Sequence, residues 1–229
     1  MSTSAAPTSS SSLALAQTSR SEAMMEFASL GQEDHCPLGV YVWPTEVFEW
    51  SATLFLHRGY YAGSILHFRL VIPPNYPQSP PAVVFESPIF HPLVDPVSGR
   101  MRLDARFPTW RPRRDFIFHV LHAVKAAFKR KGLDELREAV CANQEAWRLY
   151  RTNPPLFTKL ASQSALLSST PSALYSPAPT RSDDAQPSPI RFRRLKGEEG
   201  EEEKLREMVR EEGERKVVRG KKGSAASLD

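Results

Sequence analysis

Two cysteines, Cys36 and Cys141, and two histidines three residues apart, His119 and His122, are the side chains of this 229-residue chain best suited to nucleophilic or metal chemistry. A thiolate is both a nucleophile and a metal ligand. Two isolated cysteines lack the paired spacing of a zinc site and the even framework of a disulfide scaffold. Cys141 falls in a helical stretch, where a lone thiol is by default a small buried side chain. Cys36 lies beside Pro37 in an exposed segment and has no stronger claim. His119 and His122 could share a metal on one helix face, but Asp115 is the sole further ligand at a suitable spacing, so they read as surface histidines. No metal and no cofactor is implied. Pro74-Asn-Tyr-Pro77 and Pro77-Gln-Ser-Pro80 match polyproline-ligand spacing, and read more simply as a connection between strands.

The elements that must position these groups are legible from periodicity. Residues 1–18 are a Ser/Ala/Thr tract expected to be disordered. Ser19 and Glu22 have capping-box spacing, which starts a short helix through Met24, Met25 and Phe27 toward Gly31. Val40–Val42, Trp50–Leu56, Ser64–Ile72 and Val83–Phe85 read as strands. Leu66, Phe68, Leu70 and Ile72 alternate with polar residues, as in a half-buried antiparallel strand. Pro73–Pro81 holds five prolines in nine residues and is an extended crossing. After Trp110 the period changes: Ile117, Val120, Leu121, Val124 and Phe128 form one helical stripe, which Gly132 is expected to stop. A second helical stretch is expected over Asp134–Cys141. A third is capped by Asn143 and broken at Pro154-Pro155, and Leu156–Leu167 forms a last helix.

Domain extent follows from composition. Residues 38–160 contain all four tryptophans and most of the aromatic residues, enough for one ordinary core. The predicted organisation is a disordered tract over 1–18, a core domain over 19–165, and a Ser/Pro-rich linker and charged tail over 166–229. Ser176 and Ser188, each before a proline, are candidate phosphorylation sites, and the tail segment 196–222 is dense in charge. The net charge of +4 is uneven, with ten basic residues and two acids from Arg100 to Lys131. Such a stretch suits an acidic protein, a phosphoinositide or nucleic acid, yet it accords equally with a solvated surface. No apolar run reaches the roughly 18 residues of a membrane span. Residues 1–20 do not read as a secretory signal, and neither Ser2 nor Ser227–Asp229 fits a lipidation motif. The expectation is a cytoplasmic protein that meets membranes, endosomes or the plasma membrane, only through partners.

The order Tyr76-Pro77, Phe90-His91-Pro92, Gly99, a short strand and then Trp110 resembles the ubiquitin-conjugating enzyme core over about residues 38–160. The fold so implied is α+β, a four-stranded antiparallel meander flanked by helices. In that family a thioester-forming cysteine lies between apolar residues after the glycine. Here Met101 and Leu103 flank the slot and Arg102 fills it. A guanidinium stays protonated and offers no lone pair for attack. The family's oxyanion-stabilising asparagine falls at Leu93, after His91 and Pro92. The resemblance therefore implies a degenerate site at His91, Pro92, Leu93 and Arg102, and a protein that is not an enzyme.

His91-Pro-Leu-Val-Asp-Pro-Val-Ser-Gly99, Gly39-Val-Tyr-Val42, Ile72–Pro77 and Asn143-Gln-Glu-Ala146 with Tyr150 and Phe157 resemble one subfamily, the AKT-interacting protein or Fused Toes group. That implies an adaptor for Hook-family coiled coils and an FHIP-like subunit in endosomal vesicle trafficking and dynein-linked transport, with a link to AKT kinase and apoptotic signalling. Trp147, Tyr150 and Phe157 are the aromatic residues expected to anchor a partner. Pro154-Pro155 and the charged tail depart from the subfamily pattern. Two rivals stand beside the adaptor reading. One is a ubiquitin-binding regulator of an active conjugating enzyme. The other binds nucleic acid, the less favoured ligand, or phosphoinositide through the basic stretch.

Overall fold

Strict alternation in Ser64–Val71 puts Ser64, Leu66, Phe68 and Leu70 in the interior and the residues between them nearer solvent. In a pleated strand with one buried face this pattern fixes the register, because a one-residue slip would turn every apolar side chain outward. The computed structural model describes residues 9–175, with side chains described for 17–174. The chain divides into two units, residues 1–190 and 191–229. The second unit, most of the linker with Ser176 and Ser188, and the charged segment 196–222 lie outside the described residues.

In chain order the elements are α1 (Ser9–Ser29), β1 (Val40–Pro44), β2 (Glu49–Leu56), β3 (Ser64–Val71), β4 (Ala82–Phe85), β5 (Arg100–Met101), α2 (Ile117–Ala127), α3 (Arg130–Asp134), a 3₁₀ turn (Glu138–Val140), α4 (Gln144–Thr152), α5 (Pro154–Ser168) and α6 (Pro171–Tyr175). The strands form one antiparallel sheet in the order β1-β2-β3-β4-β5. No helix among the described residues is long and apolar enough to cross a membrane.

The α+β meander agrees with expectation, and the details correct it in four places. The sheet has five strands, because the short segment after Gly99 pairs Met101 with Val83 and Arg100 with Val84. Helix α1 begins at Ser9, so residues 9–18, expected to be disordered, are helical. No glycine or proline interrupts the alanines and leucines of that segment. Gly132 does not stop α2, which ends at Ala127; it lies inside α3, where a Cβ would come 2.3 Å from the Ala126 carbonyl oxygen. The stretch expected as a helix over Asp134–Cys141 is a single 3₁₀ turn over Glu138–Val140.

Helix α2 buries Ile117, Val120, Leu121 and Val124 on one face, each burial stabilising by roughly 1.5–3 kcal/mol. Its first turn is capped from a distance. The Glu26 carboxylate on α1 accepts the Ile117 amide at 2.5 Å and also the Tyr76 hydroxyl. An anion at a helix N-terminus meets both orphan amides and the positive end of the dipole. Burial pushes the Glu26 carboxyl up, against these two hydrogen bonds that pull it down. Phe27 on the next residue packs edge-on to Trp50 with centroids 5.3 Å apart. One turn of α1 thus joins the sheet, the proline crossing and α2.

Glu26→Ala would strand the fully buried Tyr76 hydroxyl and an α2 amide. We expect a loss of about 1–3 kcal/mol in urea denaturation, with Glu26→Gln losing less because it keeps an acceptor oxygen. An unchanged midpoint for Glu26→Ala would show that the cap carries no weight.

Candidate functional site

The site is built on the turn that precedes β5. Gly99 has φ 69° and its Cβ would lie 2.2 Å from the Phe85 carbonyl oxygen, so only glycine fits both the backbone and the space. The Phe85 amide donates to the Gly99 carbonyl at 2.8 Å, setting β5 against β4. Met101 then points into the core and Arg102 outward. The Arg102 amide donates to the Leu93 carbonyl at 2.8 Å, which brings these two residues side by side.

His91 fixes that juxtaposition from beneath. Its ring is fully buried; Nδ1 accepts the Leu93 amide at 3.0 Å and Nε2 lies 3.1 Å from the Ala127 carbonyl oxygen. An amide can only donate, so Nδ1 is the bare nitrogen and Nε2 carries the hydrogen given to Ala127. Burial holds the imidazole neutral, lowering its pKa to about 4 even though the Ala127 hydrogen bond pulls the other way. Tyr61 donates its hydroxyl to the Phe90 carbonyl at 2.8 Å, and the Asn143 amide donates to that of Pro92 at 2.9 Å. Both ring nitrogens of His91 thus tie the His-Pro turn to the end of α2.

At the slot itself Arg102 keeps 42% of its side chain exposed and pairs with Asp104 through two nitrogens, at 2.6 and 3.0 Å. A third nitrogen donates to the Ala139 carbonyl at 3.3 Å, laying the guanidinium over the 3₁₀ turn. Leu93 is buried and presents no amide side chain. Cys141, thirty-nine residues beyond the slot in sequence, lies within reach of the Arg102 charge. Its buried thiol donates to the Arg137 carbonyl at 3.2 Å, and burial pushes its pKa up to about 11. It is a protonated packing group at neutral pH. Cys36 is half-buried, donates to the Val40 carbonyl at 3.2 Å, and is pushed up by burial as well.

The three aromatic residues expected to anchor a partner lie in or against the core. Phe157 is fully buried and Tyr150 nearly so, their rings 5.0 Å apart and both edge-on to Tyr60. Trp147 is half-buried and donates its indole hydrogen to the Leu136 carbonyl at 3.3 Å. These rings close the core beneath α4 and α5 and leave little for a partner to grip. Asn143 does cap α4, accepting the Ala146 amide at 3.0 Å, and Asn153 caps α5 where Pro154-Pro155 breaks the helix. His119 accepts the Phe116 amide at 3.2 Å and His122 donates to the Asp34 carbonyl at 2.7 Å. Among the described residues no group of three or more His, Cys, Asp or Glu could hold a metal ion. Glu26 and the wall of residues 34–38 against α2 gave no sequence signal, because each acts across some ninety residues of chain.

The meander, the cis Tyr76-Pro77 peptide, the His-Pro turn and the slot define a ubiquitin-conjugating fold. The chain belongs to that family: the model described as "Ubiquitin-conjugating enzyme" matches residues 22–165. It is similar to the AKT-interacting protein of Danio rerio, 37% identical over 123 residues, 52% of this chain and 40% of that protein. The AKT-interacting protein of Homo sapiens is 35% identical over 122 residues with the same coverage. Protein crossbronx of Drosophila virilis is 30% identical over 150 residues, 62% of this chain and 60% of that protein. The chain thus matches less than two thirds of the length of each of these relatives.

The His91 geometry sets a pH dependence. The folded imidazole titrates near pH 4 and the unfolded one near 6.5, so its contribution is fully present above 6.5 and lost as the pH falls toward 4. From this residue alone the fold should be about 2 kcal/mol less stable at pH 5 than at pH 7. Denaturant midpoints at both values, compared with His91→Gln, check this. An equal acid sensitivity in the variant would contradict it.

Proposed function

We propose that this chain is a non-catalytic member of the ubiquitin-conjugating family that serves as a protein adaptor. The observation that carries the reading is the pairing of Arg102 with Leu93 at the two positions where the family places nucleophile and oxyanion stabiliser. A guanidinium bonded to Asp104 cannot form a thioester, and an aliphatic side chain donates nothing to a developing oxyanion. Neither cysteine supplies a thiolate in compensation, since burial raises both.

The name of the AKT-interacting relatives supports a protein partner rather than a small-molecule substrate. On the resemblance to that group, the partners we propose are a Hook-family coiled coil, an FHIP-like subunit and AKT kinase. The setting we propose is cytoplasmic, at endosomal membranes reached through those partners. The runner-up is a regulator that binds ubiquitin non-covalently.

Two measurements test the proposal. Arg102→Cys restores a thiol but not the amide, so even a charged variant should discharge ubiquitin to lysine about 10²–10³-fold more slowly than the double variant Arg102→Cys, Leu93→Asn. Equal rates would show that Leu93 is not the missing stabiliser. Capture with immobilised Hook C-terminal segments should match between the native chain and Arg102→Cys, with no capture on ubiquitin beads. Retention on ubiquitin alone would replace the adaptor with its runner-up.

A further inference from the structure

The apolar stripe of α2 dictates what its other side carries. With Ile117, Val120, Leu121 and Val124 turned into the core, His119, His122 and Lys125 follow one another at helical spacing along the opposite ridge, and Lys129 follows in the turn after the helix. The segment Asp34–Leu38 runs beside that ridge and is tied to it twice. His122 donates to the Asp34 carbonyl at 2.7 Å, and the Lys125 ammonium donates to the Leu38 carbonyl. Between segment and helix lies a cleft of about 450 Å³, to which Arg106 adds a guanidinium from the loop after β5. That volume falls among those of small-molecule sites, roughly 300–1,000 Å³.

The charge around this cleft is lopsided. Within the basic stretch, Arg102, Arg111 and Arg130 are taken up by Asp104, Asp115 and Asp134. Arg106, Lys125 and Lys129 make no ion pair among the described residues, and Asp34 is the one acid lining the cleft. Their proximity is felt: burial first, then repulsion from Lys129, lowers Lys125, while burial lowers His119 against the opposing pull of Asp115, with Arg106, His122 and His35 adding repulsion. A bound anion would relieve that repulsion and satisfy the two ammonium hydrogens of Lys125 left free by Leu38. Three full cations reach this depression from separate places, Arg106 from the loop after β5, Lys125 from α2 and Lys129 from the turn after α2, so a ligand with more than one phosphate can meet each of them. A nucleic-acid track needs an extended charged groove with stacking rings, and no Phe, Tyr or Trp lines this cleft.

We propose that the cleft between Asp34–Leu38 and α2 binds a small ligand bearing several phosphomonoesters, of the inositol polyphosphate type, either free or as a lipid headgroup. This surface shares neither Arg102 nor Leu93 and is independent of the adaptor reading.

The test is calorimetric titration of the full chain with inositol trisphosphate. Saturable one-to-one binding is expected. Reversing the exposed cleft cations in Arg106→Glu, Lys129→Glu should weaken it at least about tenfold, from two lost charge-assisted contacts. The milder Lys129→Met gives the same direction of change should the double variant fold poorly. Arg113→Glu, Arg114→Glu, which removes exposed charge from the same basic stretch but not from the cleft lining, should stay within about twofold. Sedimentation with phosphatidylcholine vesicles containing phosphatidylinositol bisphosphate, lost in the cleft variant, would assign the ligand to a lipid. Soluble binding without sedimentation would assign it to a free polyphosphate, and either outcome supports the site. Absent saturation, an equal loss in the control variant, or tighter binding of a singly phosphorylated peptide would overturn the proposal.

Discussion

A buried imidazole with one permitted tautomer is the constraint on which the rest of this structure depends. No solvent reaches His91, so the Leu93 amide and the Ala127 carbonyl have no partner there other than the ring. One hydrogen bond reaches the turn that leads to the slot; the other reaches the end of the helix packed beneath the sheet. Phe128 and Tyr61 pack against the ring with centroids 4.7 and 5.6 Å away. The position of Leu93, and hence its pairing with Arg102, follows from that bridge. None of these interactions requires a nucleophile. The scaffold is held by groups other than the Arg102 side chain, so the proposed loss of a nucleophile there leaves the supports of the fold in place.

The same separation redirects attention to surfaces. Arg102 is not a neutral filler: with Asp104 and the Ala139 carbonyl it stitches the end of β5 to the 3₁₀ turn that ends three residues before the cap of α4. Exposed pairs of this kind contribute about 0–1 kcal/mol, so its effect lies in ordering a loop more than in stabilising the fold. Tyr150 on α4 and Phe157 on α5 face inward and close the core, while Trp147 is half-buried. A truncation before those helices would remove Tyr150 and Phe157 from the interior and unfold the domain. Partner contacts must be sought on groups that the core leaves exposed.

What the sequence revealed and what it hid divide along one physical line. Alternation in Ser64–Val71, the α2 stripe, the Asn143 cap and the proline break were legible because each is a local pattern with a fixed period or a fixed stereochemistry. The two-residue β5 was too short to carry a period, and only its pairing with β4 makes it a strand. Gly132 reads as a stop signal in sequence, yet its role is steric clearance from Ala126, known only once the turn is packed. At the site, Arg102 and Leu93 could be placed through the motif around them. The Glu26 cap, the nearness of Cys141 to Arg102 and the cleft beside α2 join residues far apart in the chain, and no local spacing encodes them.

The central claim is that a ubiquitin-conjugating fold here stands without its covalent step. Intact mass spectrometry of the native chain, after incubation with activating enzyme, ubiquitin and Mg-ATP and without reductant, addresses it most directly. The account predicts that the chain keeps its unmodified mass while an active family member in the same tube is fully charged. A ubiquitin adduct on this chain that thiol reductant removes would contradict it, and its disappearance in Cys141→Ser would identify the nucleophile.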